Sequence, residues 1–252
     1  MRSLVVIPTY NEAATVRRVV EAVRASGRAH VLIVDDASPD GTGDIADWLA
    51  ERDYGIHVLH RAEKAGLGAA YRAGLRWGLA AGFDALGEMD ADGSHDPADV
   101  PRLLDALRNA DLVIGSRYVP GGAVRNWPLT RRLLSRCGNL YVQAFTGLPV
   151  NDATAGFRMF RRETLMALDI DHVQSDGYSF QIEMALRAHT AGFRVVEIPV
   201  TFVERTEGAS KMSRSIVLEA LWRVPRWSLE SRAQDRPLGI DRRSVASATL
   251  TR

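Results

Sequence analysis

Short apolar runs that alternate with helical patterns constrain the fold of this chain more than any other feature of its sequence. In the first half of the chain, these runs have the length of buried strands and lie at residues 4–7, 31–34, 56–59, 85–89 and 112–114. Between them, apolar residues recur at helical spacing in residues 11–25, 42–50, 68–81 and 98–107. Strands that alternate with helices in this way predict an α/β fold, with a mainly parallel central sheet and helices on both faces.

Polar side chains follow four of the predicted strands at the point where each strand ends. They lie at residues 9–12, 35–40, 90–95 and 116–117. Ligands of open parallel sheets bind at the carboxyl ends of the strands. The sequence therefore predicts a single active-site edge.

The second half of the chain is less regular. Residues 126–146 have a helical pattern, and residues 195–203 are predicted to be extended, with Pro199 near a sheet edge. Residues 216–229 are apolar and rich in tryptophan and arginine, whereas little periodic apolar character follows Ser231. We therefore predict one catalytic domain over residues 1–230 and a disordered tail over residues 231–252.

The composition narrows the class of protein. Lys and Arg number 32 and Asp and Glu 31, so no global charge favours nucleic acid. The single cysteine, Cys137, fits a reducing cytosol. No stretch approaches the ~18 apolar residues that a membrane span needs. Any membrane contact is therefore expected to be peripheral or through a partner.

The strongest candidate for chemistry is Asp90-Ala91-Asp92, which follows an apolar run directly. Two carboxylates two residues apart at a strand end can approach one hard cation, and Mg²⁺ and Mn²⁺ prefer oxygen ligands. The alternative is a turn, because Gly93 and Ser94 follow. The position at a strand end favours the metal interpretation.

Two further acidic clusters have a structural and a functional interpretation. In residues 35–42, an acid at the strand end can accept hydrogen bonds from a base or a ribose, while Asp40 or Thr42 can cap the next helix. In residues 8–12, Asn11 can be only a cap, and Tyr10 can stack on a nucleobase or simply pack.

A glycine pair opens the third predicted helix. Gly66 and Gly68 follow Lys64 and would let a phosphate approach closely. Tyr71 stands where a dinucleotide-binding motif has its third glycine, and the Gly-Lys-Ser/Thr end of a P-loop is absent. The pattern therefore argues against a dehydrogenase and against a P-loop kinase.

Basic residues are candidates for binding phosphate groups. Arg117 follows a strand at the predicted edge, and Arg205 and Lys211 flank a polar loop. Arg131, Arg132 and Arg136 lie near helical spacing. Most surface arginines are simply solvated, and the sequence surroundings of Arg117, Arg205 and Lys211 single these three out.

Taken in order, these motifs resemble family 2 glycosyltransferases of the GT-A fold. The resemblance is carried by Pro-Thr-Tyr-Asn-Glu at residues 8–12, by residues 35–42, by Asp90-Ala91-Asp92 and by Gly-Ser-Arg-Tyr at residues 115–118. Residues 151–158, 177–183 and 204–212 look like the dolichol- or polyprenol-phosphate mannose synthases within that family. The resemblance covers roughly residues 3–229, and polyprenyl-phosphate glucosyltransferases share most of its motifs.

The resemblance implies roles for individual residues. Donor binding is implied for Pro8, Tyr10, Glu12, Asp35, Lys64, Gly68, Asp90, Ala91 and Asp92, together with Arg205 and Lys211 on a mobile loop. Asp90 and Asp92 would hold Mg²⁺ or Mn²⁺, and Arg117, Arg131 and Ser135 would receive the lipid phosphate. Asp92, Arg117, Arg205 and Lys211 form the implied catalytic set.

This chain departs from the family pattern in two places. Several members have a glutamine two residues after the second aspartate, as a further metal ligand, and Ser94 stands there in this chain. Water or His95 would then substitute. Some members also continue into membrane-spanning helices after the catalytic domain, whereas this chain is expected to stop short of them.

The implied activity is inverting transfer of mannose from GDP-mannose to a polyprenyl phosphate. The alternatives are a glucosyltransferase that uses UDP-glucose and a non-catalytic regulatory protein on a GT-A scaffold. The expected location is the cytoplasmic face of a membrane, reached peripherally or through a separate integral membrane protein. Residues 213–229 are a candidate interfacial helix, with Trp222 and Trp227 suited to the headgroup region and Pro225 interrupting it. The alternative is that these residues pack onto the core.

Overall fold

The computed structural model describes residues 1–173, 175–204 and 222–227, and its centre is a seven-stranded β-sheet. The strands of the molecule are β1 (Ser3–Thr9), β2 (His30–Asp35), β3 (Ile56–His60), β4 (Ala85–Glu88), β5 (Leu112–Ser116), β6 (Ala123–Arg125), β7 (Arg158–Arg161), β8 (Val195–Pro199) and β9 (Thr201–Val203). The helices are α1 (Val16–Ala25), α2 (Thr42–Ala50), α3 (Leu67–Ala80), α4 (Val100–Ala106), α5 (Leu129–Thr146), α6 (Arg162–Leu168) and α7 (Gly177–Thr190). The predictions for Arg205, Lys211, residues 213–221 and 228–229, and the tail fall outside the described residues.

The strand order of the large sheet is β3-β2-β1-β4-β7-β5-β8. Only β7 among these strands runs antiparallel to its neighbours, β4 and β5. The predicted mainly parallel sheet is therefore confirmed. The predicted extended segment 195–203 divides into β8, at the edge of this sheet, and β9, which pairs with β6 in a separate two-stranded sheet. Pro199 ends the edge strand β8, as predicted.

Helices cover both faces of the sheet because alternate residues of each strand point in opposite directions. In β1, Leu4 and Val6 belong to the apolar cluster beneath α3, whereas Val5 and Ile7 belong to the cluster beneath α1. Two buried faces explain why the strands read as continuous apolar runs. The predicted stripe on α1 is also confirmed, since Val16, Val19, Val20 and Val23 are all buried.

Several predicted boundaries were wrong for local reasons. The first helix begins at Val16 and not at residue 11, because Asn11 has a φ of 60°, which α-helical backbone excludes. The helix predicted at residues 98–107 is a 3₁₀ turn at Pro97–Asp99 followed by α4. The helix predicted from residue 126 begins at Leu129, directly after Pro128.

Only a part of the candidate interfacial helix lies among the described residues. Residues 222–227 are helical, with Val224 and Trp227 buried and Trp222 largely exposed. Val224 and Trp227 belong to the main apolar cluster. For these two residues the structure agrees with the alternative interpretation, packing onto the core. Within residues 1–173, 175–204 and 222–227, no helix combines the length and apolar character needed to cross a bilayer.

Candidate active site

The ends of β1, β2, β4 and β5 place the four polar clusters along one edge of the sheet. Thr9 and Asp35 are partners in the register of β1 and β2, and β4 pairs with β1 on its other side. A cavity at this edge is lined by the two aspartates after β4 and by two arginines, Arg117 and Arg131. The predicted single edge is present.

Asp90 and Asp92 both line this cavity. The hydroxyl of Tyr71 donates to Asp90 Oδ1 at 2.9 Å, and the Asp90 N–H donates to His95 Nδ1 at 3.2 Å. The Ser94 N–H donates to Asp92 Oδ1 at 3.0 Å. The segment thus forms the turn that the sequence also suggested, and that turn carries both carboxylates into the cavity.

His95 does not complete a three-residue metal site. Its Nδ1 accepts the Asp90 N–H, and its ring packs against Phe157 with the centroids 5.0 Å apart. Among the described residues, no group of three or more His, Cys, Asp or Glu side chains could hold a metal ion. Asp90 and Asp92 therefore form a two-carboxylate set. Ala91 is 3% exposed, and its contact with a donor stays a prediction.

The side of the edge that is predicted to bind the nucleoside, at residues 8–12 and 35–42, is built from hydrogen bonds between adjacent loops. Asp35 is buried, and its Oδ1 accepts from the hydroxyls of Thr9 at 2.9 Å and Ser38 at 2.6 Å. Its Oδ2 accepts the Ser38 N–H at 3.1 Å. The Ser38 hydroxyl also accepts the N–H of Asn11 at 3.1 Å. Asp35 is therefore fixed in place and ties the loop after β1 to the loop after β2.

The N-cap residue of α2 is Gly41, so the predicted cap at Asp40 or Thr42 is wrong in its position, and the residue that accepts from the start of the helix is Asp40. Its Oδ1 accepts the N–H and hydroxyl of Thr42 at the start of α2, and its Oδ2 accepts the Ala13 N–H. Burial would raise the pKa of Asp40, but these hydrogen bonds lower it below its usual value. The Thr42 hydroxyl accepts the N–H of Glu12 at 3.0 Å, which fixes the backbone of the predicted nucleoside pocket.

Tyr10 and Lys64 meet at the mouth of this side. The Lys64 ammonium lies 3.7 Å from the centroid of the half-buried Tyr10 ring, a cation–π contact. Pro8, also half-buried, lies opposite Val34 in the register of β1 and β2. The predicted donor-binding residues Pro8, Tyr10, Glu12, Asp35 and Lys64 are thus neighbours in the fold, and their contact with a donor stays a prediction.

The glycine pair before α3 approaches a carboxylate of the chain itself. The Gly68 N–H donates to Asp176 Oδ1 at 2.5 Å. A Cβ at Gly66, whose φ is 96°, would lie 2.0 Å from Asp176 Oδ2, and one at Gly68 would lie 2.9 Å from the Ser175 carbonyl oxygen. The close approach that the glycines permit is therefore made by the segment before α7, and donor binding by Gly68 stays a prediction.

Arg117 is buried at the end of β5 and is held by Asp152. Its Nε and Nη2 donate to the two carboxylate oxygens of Asp152 at 2.7 and 2.6 Å, and Nη2 also donates to Thr154 Oγ1. Burial alone would lower the pKa of Arg117, but the charge and hydrogen bonds of Asp152 raise it above its usual value. The guanidinium is thus a fixed positive charge on the cavity wall.

Arg131 and Ser135 lie on successive turns of α5 and are both half-buried. Arg131 Nη1 donates to Glu204 Oε1, and its guanidinium lies 4.1 Å from the Trp127 ring centroid. The Ser135 carbonyl accepts from Asn139 Nδ2 at 3.0 Å. Arg117 and Arg131 line one cavity, as the predicted acceptor site requires, and acceptor binding by Ser135 stays a prediction.

Two further buried charged groups are Glu88, which precedes Asp90 by two residues, and Arg158. Glu88 is fully buried in β4, and burial raises its pKa to about 7, although the charge of Arg158 opposes that shift. Arg158 in β7 donates to the carbonyls of Ala153, Ala155 and Gln181, and burial lowers its pKa to about 10. Arg158 thus ties β7 to the loop before it and to α7.

Three of these side chains were not identified as functional from the sequence. Tyr71 lies on the buried face of α3, where a core residue is the ordinary expectation. Asp152 and Glu204 stand inside recognised motifs, but nothing in the motifs shows which arginine each one pairs with. The available signal for Asp152 was an acid in a motif that follows no predicted strand.

Comparison with known proteins gives concordant matches. The family described as "Glycosyl transferase family 2" matches residues 4–168. The chain is 54% identical over 233 residues to the undecaprenyl-phosphate mannosyltransferase of Micrococcus luteus, covering 92% of this chain and 96% of that protein. It is 52% identical over 244 residues to the polyprenol monophosphomannose synthase of Mycolicibacterium smegmatis, covering 96% of this chain and 92% of that protein.

Solved structures share the fold at low sequence identity. The mannosyltransferase PcManGT from Pyrobaculum calidifontis, solved with GDP-Man and Mn²⁺, superposes with a TM-score of 0.55 at 18% identity, covering all of this chain and 76% of that one. GalNAc-T7, solved with UDP, GalNAc and Mn²⁺, gives 0.55 at 17% identity and covers 90% of this chain and 48% of that one. These likenesses confirm the expected GT-A fold.

Proposed function

The chain belongs to glycosyl transferase family 2, and from this premise we propose that it transfers mannose from GDP-mannose to a polyprenyl phosphate with inversion at the anomeric carbon. The choice of sugar and acceptor is supported by two relatives above 50% identity that are named for polyprenyl-phosphate mannose synthesis. The observation that carries the proposal is one cavity lined by Asp90 and Asp92 together with Arg117 and Arg131. It offers oxygen ligands beside fixed positive charges.

The two carboxylates fit Mg²⁺ or Mn²⁺. These cations are commonly held by one or two carboxylates together with substrate phosphates and water, so a larger cluster of protein ligands is not required. When bound, the cation would act as a Lewis acid that neutralises charge on the leaving diphosphate. Asp90 and Asp92 would hold it beside the donor, and the Ser94 N–H would keep Asp92 in place.

The acceptor needs no general base, because a phosphate monoester is already ionised at neutral pH. The work of the chain is therefore to bring an anion to the anomeric carbon and to align it. Arg117 would attract the acceptor phosphate from its fixed position on Asp152. Arg131 is paired with Glu204, and an acceptor phosphate would replace that carboxylate at the guanidinium. Arg205 and Lys211 are proposed, from the family resemblance, to stabilise the diphosphate as it leaves.

The membrane contact that such an acceptor requires is proposed to involve α5. The outward side of this helix exposes five large apolar residues: Leu129, Leu133, Leu134, Leu140 and Phe145. Arg132 and Arg136 are exposed beside them, as suits anionic headgroups. The inward side carries Arg131 and the buried Asn139. A lipid whose phosphate reaches Arg131 would then have its tail next to an exposed apolar surface.

The test of this function is a transfer assay with the purified chain. GDP-[¹⁴C]mannose and UDP-[¹⁴C]glucose would each be incubated with polyprenyl phosphate and Mn²⁺ or Mg²⁺, and the label in the lipid phase counted. We expect mannosyl lipid from GDP-mannose and little product from UDP-glucose. Product from UDP-glucose alone would establish the glucosyltransferase alternative. An inactive chain that still binds nucleotide would support the regulatory alternative.

A further inference from the structure

Asp90 is held from within the protein by a tyrosine of α3. The Tyr71 side chain is fully buried, and its hydroxyl donates to Asp90 Oδ1 at 2.9 Å. The tyrosine ring is fixed in turn by stacking on Phe180, with the centroids 6.2 Å apart and the planes 6° from parallel. The donor that meets Asp90 is therefore part of the packed core.

We propose that Tyr71 is a positioning residue that sets the orientation of the Asp90 carboxylate toward a divalent cation. The last torsion of an aspartate is broad and can rotate at little cost. A hydrogen bond to one oxygen fixes that torsion and so fixes where the other oxygen points. Hydrogen-bond partners of metal-binding carboxylates orient them and tune the affinity for the ion. This inference rests on the metal assignment in the proposed function.

The backbone of Asp90 is fixed as well. Its N–H donates to Nδ1 of His95, and that ring is buried between Phe157 and Phe202. Asp92, by contrast, accepts the N–H of Ser94 within its own turn. The structure therefore anchors Asp90 to the core through both its backbone and its side chain. Asp92 has the turn as an anchor, so loss of the Tyr71 hydroxyl should affect Asp90 specifically.

The test is Mn²⁺ binding by the full chain carrying Tyr71→Phe. Electron paramagnetic resonance measures the free Mn²⁺ during the titration, with and without GDP. Phenylalanine keeps the ring and its stacking and removes only the hydroxyl. Loss of such a hydrogen-bond partner typically weakens metal affinity by about tenfold or more. We expect the Mn²⁺ dissociation constant to rise about tenfold. In the transfer assay, the Mn²⁺ concentration for half-maximal rate should rise similarly, while kcat at saturating Mn²⁺ changes little.

Two control variants separate positioning from stability. Leu75→Val lies one turn further along α3, in the same apolar cluster, and removes packing without removing a hydrogen bond. Tyr54→Phe makes the same chemical change at an exposed position. Both should bind Mn²⁺ as the parent does.

Folding of Tyr71→Phe is checked by its melting temperature, and the rise in that temperature with added Mn²⁺ gives a second measure of binding. A Tyr71→Phe dissociation constant within twofold of the parent would overturn the inference, as would an equal weakening in Leu75→Val. If Asp92→Asn also left Mn²⁺ binding unchanged, the metal assignment itself would fail, which separates the two hypotheses.

Discussion

The proposed nucleoside side and the proposed acceptor side of the site each hold a charged group, and they do so by different means. On the nucleoside side the held group is an acid: Asp35 accepts from neutral donors of Thr9, which ends β1, and of Ser38, in the loop after β2. On the acceptor side the held groups are cations: Asp152 holds Arg117, and Glu204 holds Arg131.

The difference shows which side can exchange partners. The neutral donors bring no opposite charge to Asp35, and they fix the loops around it. Arg131, paired with the partly exposed Glu204, can instead give up that carboxylate for a phosphate, which makes the same charge-assisted hydrogen bonds, while Arg117 stays on the buried Asp152. The nucleoside side is thus a fixed frame, and the acceptor side is an ion-pair surface on which the acceptor phosphate would compete.

The largest effect on turnover is expected at Asp92, in the proposed metal site. We predict that Asp92→Asn lowers kcat by roughly 1,000-fold, because a catalytic metal supplies several kcal/mol of charge stabilisation, about 4 kcal/mol here. The initial rate of mannosyl transfer measures it, with circular dichroism to confirm the fold. Asp44→Asn, an exposed acid of α2, is the control. Near-parental turnover in Asp92→Asn, or in excess chelator, would reject the metal site.

The second largest effect tests whether the acceptor side depends on its buried ion pair. We predict that Asp152→Asn lowers the free energy of unfolding by about 3 kcal/mol, because Arg117 is left buried without its counter-charge. Urea denaturation measures this. Asp171→Asn breaks an exposed pair with Arg76 and should cost at most about 1 kcal/mol. Equal losses in the two variants would mean that Arg117 finds another partner.

The two sides also differ in how far the sequence predicts them. The frame of the nucleoside side follows from local patterns: the four valines of α1 and the apolar run of β1 each indicate their element without reference to the rest of the chain. The predicted ends of the strands therefore gave the positions of the polar clusters that follow them. What remained hidden was the pairing within the edge, because Thr9 and Asp35, which are 26 positions apart in the chain, are brought together only by the sheet register.

The acceptor side depends on long-range contacts that leave little local signal. β7 has four residues, begins and ends in arginine, and exists because β4 and β5 pair with it from both sides. α7 was missed because it buries Gln181, Glu183 and Arg187 among its apolar residues, which obscures the helical pattern. Asp152 is 35 residues from Arg117 in the chain. Pairings of this kind are set by the finished fold.

The third prediction concerns the outer surface of α5. We predict that Leu133→Ser combined with Leu140→Ser weakens binding to vesicles of anionic phospholipid by about tenfold. Each substitution removes apolar area that the leucine side chain would bury in the lipid. Sedimentation with the vesicles measures it. Met166→Ser, at an exposed position on α6, is the control. Equal sedimentation of the double variant and the parent would reject this surface, and no sedimentation of either would point to a protein partner at the membrane.

A smaller effect tests the exchange of partners at Arg131. We predict that Glu204→Gln lowers the KM for polyprenyl phosphate about fivefold, because a partly exposed ion pair contributes about 1 kcal/mol that the acceptor no longer has to replace. The KM for GDP-mannose should not change. Steady-state kinetics with each substrate varied in turn measure both constants. A rise in the acceptor KM would show that Glu204 helps to hold the arginine in its binding position.

The smallest effect should come from the nucleoside side, at Ser38. Ser38→Ala removes one hydroxyl bond to Asp35 and the acceptor for the Asn11 N–H, but Thr9 and the Ser38 amide still hold the acid. Because these remaining donors keep Asp35 in place, we expect the KM for GDP-mannose to rise only about threefold, which corresponds to about 0.7 kcal/mol. The acceptor KM should stay constant, which is the reverse of the Glu204→Gln pattern. If Ser38→Ala instead changed the acceptor KM as strongly as the donor KM, the two sides would be coupled, and the distinction between a fixed frame and an exchangeable ion-pair surface would fail.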